Sequence, residues 1–142
     1  MKLILKTFIL FCFSFTLSAS EDNYFDKAKQ LFEEKKFDES KFLFQKNIVY
    51  NPKDANSYLY LAKIYELEEN ERKQEKNINT TLLLEPRNEE AMYLLIDIQI
   101  KKSNFSKAEK LKNNFKKICS VLCDKIPSIN SRLKEFEKKD AS

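Results

Sequence analysis

The chain has 142 residues, enough for one domain and little more. Hydrophobic residues make up 42% and charged residues 34%, a globular balance that excludes a disordered chain; the net charge of +4 is spread over intermixed Lys and Glu, with no basic stripe for nucleic acid. Gly and His are both absent, which removes Gly-dependent β-hairpins, phosphate-cradling loops, Ser-His-Asp and Cys-His nucleophile systems and His-ligated metal sites.

The first element is an address. Lys2 and Lys6 open the chain, Phe8 to Leu17 is a short apolar run, and Ser18-Ala19-Ser20 precedes Glu21-Asp22. A basic start, an apolar middle and small residues at the exit read as a secretory signal peptide over residues 1–20, cut after Ser20. The contrasting reading is an uncleaved anchor. A spanning helix needs roughly 20 apolar residues, and Lys6 shortens this run. Cys12 follows Phe11 inside the run rather than a small residue at its end, so it is not read as a lipid-modified cysteine. The expected location is periplasmic or secreted, with membrane association only if the segment is retained.

From Glu21 onward the chain repeats with a period of 34 residues. Pro52 and Pro86 share one column; Tyr24, Tyr58 and Met92 another; Ala28, Ala62 and Ile96 a third; Phe37, Glu71 and Phe105 a fourth; Ser40, Gln74 and Ala108 a fifth. Leu31, Phe32, Ser40, Phe44 and Ile48 recur at three- and four-residue spacing, as helix faces require. Asp54 and Asn88 are suited to cap helices that begin near Ala55 and Glu89, and Pro52 and Pro86 stop the helices before them. The segment Tyr24 to Pro52 resembles the tetratricopeptide repeat on Tyr24, Ala28, Leu31, Phe37, Ser40, Phe44 and Pro52. A second copy carries Tyr58, Leu61, Ala62, Tyr65, Ile78 and Pro86. A third carries Met92, Leu95, Phe105 and Ala108 but lacks the closing Pro. The resemblance covers residues 21 to 120 and extends to small exported bacterial members of the family. It implies an all-α, right-handed superhelix of three helix-turn-helix hairpins, at 21–54, 55–88 and 89–122. Glu71, Gln74 and Ile96 depart from the pattern, and looser packing of the second and third copies, or packing at a shifted angle, is expected there.

After the third copy come Cys119 and Cys123. Ser120 occupies the column of Pro52 and Pro86, so the pair straddles the turn into the last helix. An exported protein meets oxidants, and a disulfide in place of the missing Pro is the leading expectation. Unpaired buried thiols and a redox or soft-metal site are the other two readings. Residues 123–142 form a capping helix and tail. Ile126, Ile129, Leu133 and Phe136 make its apolar stripe, and Ser128, just after Pro127, is the expected start.

In the family, first helices of successive hairpins line a groove that takes a peptide or helix. If the resemblance holds, the groove here holds Phe25, Leu59 and Tyr93 in one column and Lys29, Lys63 and Asp97 in the next, with Phe32 and Ile100 further along. Phe25 and Leu59 stand where a clamp for a C-terminal carboxylate would need polar groups, so that mode is not expected. The function expected is a non-enzymatic adaptor or scaffold of the cell envelope whose partner is another protein. It has no catalytic residue, cofactor or metal and no nucleic-acid partner, and self-association through an exposed end is left open. The alternative is a thiol-disulfide or Cu(I)-handling accessory protein that uses Cys119 and Cys123.

Overall fold

The computed structural model describes residues 23–140, with side chains through Glu135. The expected leader, residues 1–20, and the side chain of Phe136 lie outside the described residues. Seven helices follow in chain order: α1 (Tyr24–Glu33), α2 (Phe37–Tyr50), α3 (Ala55–Leu67), α4 (Glu71–Leu84), α5 (Glu89–Lys101), α6 (Phe105–Ile118) and α7 (Ile126–Asp140), the last entered through a 3-10 turn at Cys123–Lys125. Strands are absent among the described residues, so the fold is all-α. No helix of the described residues is long and apolar enough to cross a membrane.

The 34-residue period sets the ends of the helices. Side chains of Asn23, Asp54, Asn70 and Asn88 accept a first-turn backbone N–H of α1, α3, α4 and α5, which satisfies one of the donors a helix start leaves open. The first helix of each hairpin ends in one motif, used three times. The N–H of Lys36, Asn70 and Asn104 donates to the carbonyl of Leu31, Tyr65 and Gln99 at 2.8 Å in each case. The residue before each donor, Lys35, Glu69 or Ser103, has φ of 62°, 55° or 58°. This left-handed closure is usually made with Gly, which the chain lacks. Pro52 and Pro86 sit in the turns after α2 and α4, where Asp54 N–H donates to Asn51 and Asn88 N–H to Glu85. α7 begins at Ile126, two residues before the expected start at Ser128. Pro127 falls in the first turn, where its missing N–H has no helical partner to lose.

First helices lie beside first helices. Phe25 and Phe32 of α1 meet Tyr60 of α3 edge-on, at centroid distances of 5.9 and 5.1 Å. Lys63 of α3 pairs with Glu90 of α5 at 2.7 Å, and Asp97 of α5 pairs with Arg132 of α7. α7 thus extends the row of first helices by one. The core fills the space between the two rows in three clusters. One centres on Ala28, Phe44, Ile64 and Tyr65, the next on Leu59, Ala62, Ile78 and Ile98, and the last on Ile96, Ile100, Phe115 and Ile129. In the first hairpin the Ser40 hydroxyl donates to the Ala28 carbonyl at 2.8 Å, so these two columns meet. The later copies trade volume across that meeting: Ala62 with Gln74, then Ile96 with Ala108. All four are buried, which is how the chain accommodates Gln74 and Ile96.

At the rim where hairpins stack, one position is bridged twice with opposite polarity. Lys41 of α2 pairs with Glu68, just past α3. Glu75 of α4, one period later, pairs with Lys102, just past α5, at 2.5 Å.

Candidate functional site

The face of the first helices is the candidate site, and the eight residues expected there divide sharply. Leu59 and Ile100 are 5% and 1% exposed. They are core residues, not groove residues: Leu59 packs with Ala62, Ile78 and Leu95, and Ile100 is covered with Phe115, Ile129 and Leu133. The register places both on the correct helices, but each points between the rows. Phe25, Phe32, Lys63, Tyr93 and Asp97 are half-buried, and Lys29 is exposed.

Aromatic packing organises the N-terminal half of this face. The Tyr60 ring stacks on Phe44 at 5.0 Å and receives the edges of Phe25 and Phe32. The Lys63 ammonium lies 4.7 Å from the same ring centroid while it holds Glu90, so its charge is shared between a ring face and a carboxylate. Tyr60 was not among the expected site residues. It follows Leu59 by one position, and only the packing of α3 against α1 shows that it, rather than Leu59, turns toward the face. Further along, Tyr93 is tilted against Phe115, and Asp97 is engaged by Arg132. The face is therefore apolar and aromatic with its charges matched: Lys29 with Glu33, Lys63 with Glu90, Asp97 with Arg132.

The far end is closed by the turn that carries the cysteines. The sulfurs of Cys119 and Cys123 lie at bonding distance, 2.06 Å, with Cα atoms 5.3 Å apart. Between them, the turn folds around a carboxylate. Glu89, in the first turn of α5, accepts from Ser120 N–H (2.7 Å), the Ser120 hydroxyl (2.6 Å), Val121 N–H (3.0 Å) and Leu122 N–H (2.8 Å). The Ser120 hydroxyl most of all, and then the Leu122 N–H, hold the Glu89 carboxyl down to about 2, because each of these bonds favours the charged form. From the sequence, Glu89-Glu90 reads as a solvated acidic pair. The structure gives the two different tasks, one on the turn and one on Lys63.

No family model matches the chain, and no curated protein matches it. Solved structures do. The Yersinia enterocolitica type III secretion translocator chaperone SycD is similar with a TM-score of 0.70 at 11% identity, over 84% of each chain. The same chaperone in complex with a peptide of the translocator YopD matches with a TM-score of 0.69 at 12% identity, over 82% of this chain and 92% of that one. The second TPR domain of human RPAP3, in complex with an HSP70 peptide, matches with a TM-score of 0.65 at 14% identity, over 80% of this chain and 92% of that one. At these identities the likeness shows the fold, a stack of tetratricopeptide-type hairpins.

Proposed function

We propose that the protein is a non-enzymatic interaction module whose first-helix face holds a segment of another protein. The observation that carries this reading is the face itself. It is a half-buried run of aromatic rings (Phe25, Phe32, Tyr60, Tyr93) with Lys63 poised on Tyr60, set in a fold whose solved neighbours include complexes with peptides of other proteins. Such a face suits a peptide or helix with apolar anchors. Lys29, exposed and met only at 4.0 Å by Glu33 of its own helix, favours an acidic residue beside those anchors. The absence of His and Gly from the whole chain supports a role without catalysis.

We further place this module in the cell envelope, exported by residues 1–20, with Cys119 and Cys123 joined as a structural staple of the last turn. Sequencing of the N-terminus from the envelope fraction is expected to begin at Glu21, and a Met1 start would refute export with cleavage. Gentle crosslinking and affinity purification from the envelope tests the binding reading. A single protein recovered near one-to-one, and lost on Lys63→Ala with Tyr93→Ala, is the expected result. Recovery unchanged by those substitutions would remove the groove from the proposal. Replacement of both cysteines by Ser should leave recovery intact, whereas a thiol-disulfide or Cu(I)-handling protein would lose its activity.

A further inference from the structure

Lys and Glu intermix along α4 and α6, and folding separates them. Glu71 and Glu75 are drawn to Lys102, and Glu109 to Lys112. Arg72, Lys76, Lys110, Lys116 and Lys117 are exposed, and none has an ion pair with a carboxylate among the described residues. The 34-residue period sets three of these cations, Lys76, Lys110 and Lys117, in exposed columns of the second helices, whereas Arg72 shares its column with the exposed Asp38 of α2 and Lys116 with the partly buried Ile48 and Leu82. Lys76 and Lys110 share a column with Phe42, and Lys117 shares one with Val49 and Leu83. Arg72, Lys76 and Leu83 line one shallow hollow along α4 together with Glu75, Asn79 and Thr80.

The apolar members of these columns are unusually bare: Leu83 is 81% exposed, Val49 77% and Phe42 63%. Single exposed apolar residues need no explanation. Here three of the six exposed large apolar residues among the described residues fall in the same two columns as Lys76, Lys110 and Lys117, while α2 itself exposes Asp38 and Glu39 a turn before Phe42. The inner face has the opposite character, with its charges matched in pairs.

We propose that the outer face of α2, α4 and α6 docks on an anionic phospholipid bilayer. Lys and Arg would lie against headgroup phosphates while Phe42, Val49 and Leu83 enter the apolar boundary. Peripheral helices hold a membrane by this combination of cations and apolar side chains. A nucleic acid offers phosphates to the cations but nothing to the bare Leu83 and Val49. Docked this way, the first-helix face looks away from the bilayer and stays open to a protein partner.

The test is co-sedimentation of the full chain with vesicles of phosphatidylcholine alone or with one third phosphatidylglycerol. The apolar stretch Phe8 to Leu17 is present in every arm, so differences between variants report on the outer face. The wild type is expected to prefer the anionic vesicles and to lose that preference as salt rises. Loss of each cation should weaken binding roughly five-fold, so the combination of Arg72→Gln, Lys76→Gln, Lys110→Gln and Lys117→Gln should nearly abolish the preference. Phe42→Ser, Val49→Ser and Leu83→Ser together should also weaken vesicle binding, while binding to heparin, a soluble polyanion, stays unchanged. All seven side chains are exposed, and circular dichroism checks that the variants fold. Equal binding by the wild type and the charge variant would overturn the proposal, as would no binding to either vesicle. A loss with the charge variant but none with the apolar variant would assign the face to a soluble polyanion instead.

Discussion

Glu89 sits in the first turn of α5 and binds the backbone of a turn 31 residues away. A carboxylate that accepts a hydroxyl and three N–H groups is favoured as the anion, and its folded-state pKa of about 2 lies below the ordinary value near 4.3. A depressed carboxylate contributes stability that is present above its unfolded pKa and disappears as pH falls through its folded one. Thermal melts of the wild type should therefore show a fall in Tm between about pH 4.5 and pH 2. Glu89→Gln should lower Tm at neutral pH and flatten that acid limb. A variant that melts with the wild type's acid profile would show that the contact contributes nothing. The sequence gives no sign of this contact, because the two partners meet only after the third hairpin has closed. The caps at Asp54 and Asn88 are legible for the opposite reason: cap and recipient N–H stand two or three residues apart.

At the scale of elements, the three left-handed turns are the clearest local liability. A non-Gly residue in that conformation carries a penalty of roughly 1–2 kcal/mol, against which Gly would lose about 0.5–1 kcal/mol through its freer unfolded chain. Lys35→Gly, Glu69→Gly and Ser103→Gly should each stabilise by about 0.5–1 kcal/mol in urea melts. The positions of these turns follow from the period, while their backbone conformation does not, since nothing in Lys, Glu or Ser announces φ near 60°. If Cys119 and Cys123 are joined as proposed, the bond closes a very short loop. Its entropy contribution is about 2 kcal/mol, which urea melts of the double Cys→Ser chain should show as lost. α7 should nevertheless stay docked in that chain. Ile129 and Leu133 remain in the core, and Arg132 still holds Asp97. Protease cleavage confined to residues 119–140 of the double variant would contradict this.

For the molecule as a whole, the period is legible in the columns of Ala, Pro and aromatic residues, and it fixes the all-α stack. The face of each side chain is less so. Leu59 and Ile100 share columns with groove residues, yet neighbouring helices cover them, because a two-row stack buries the flanks of its first helices as well as their backs. The outward cations are invisible for a related reason: mixed Lys and Glu read as neutral until the rim claims the acids. If the inner face binds its partner as proposed, Lys63→Ala should weaken binding about ten-fold, as a partly desolvated charged contact would, with Tm little changed. Calorimetric titration with the recovered partner checks this. The reversed bridges at the rim carry a consequence for how such an array can grow. Tandem duplication of residues 55–88 would preserve every apolar column, but it would set Glu75 of one copy against Glu68 of the next. Each such mismatch costs up to about 1 kcal/mol, enough to bias newly made chains against it and removable by a single Glu→Lys change. Adjacent hairpins in this protein are therefore not interchangeable: charge gives each a fixed place in the order, and the array resists lengthening by simple copying.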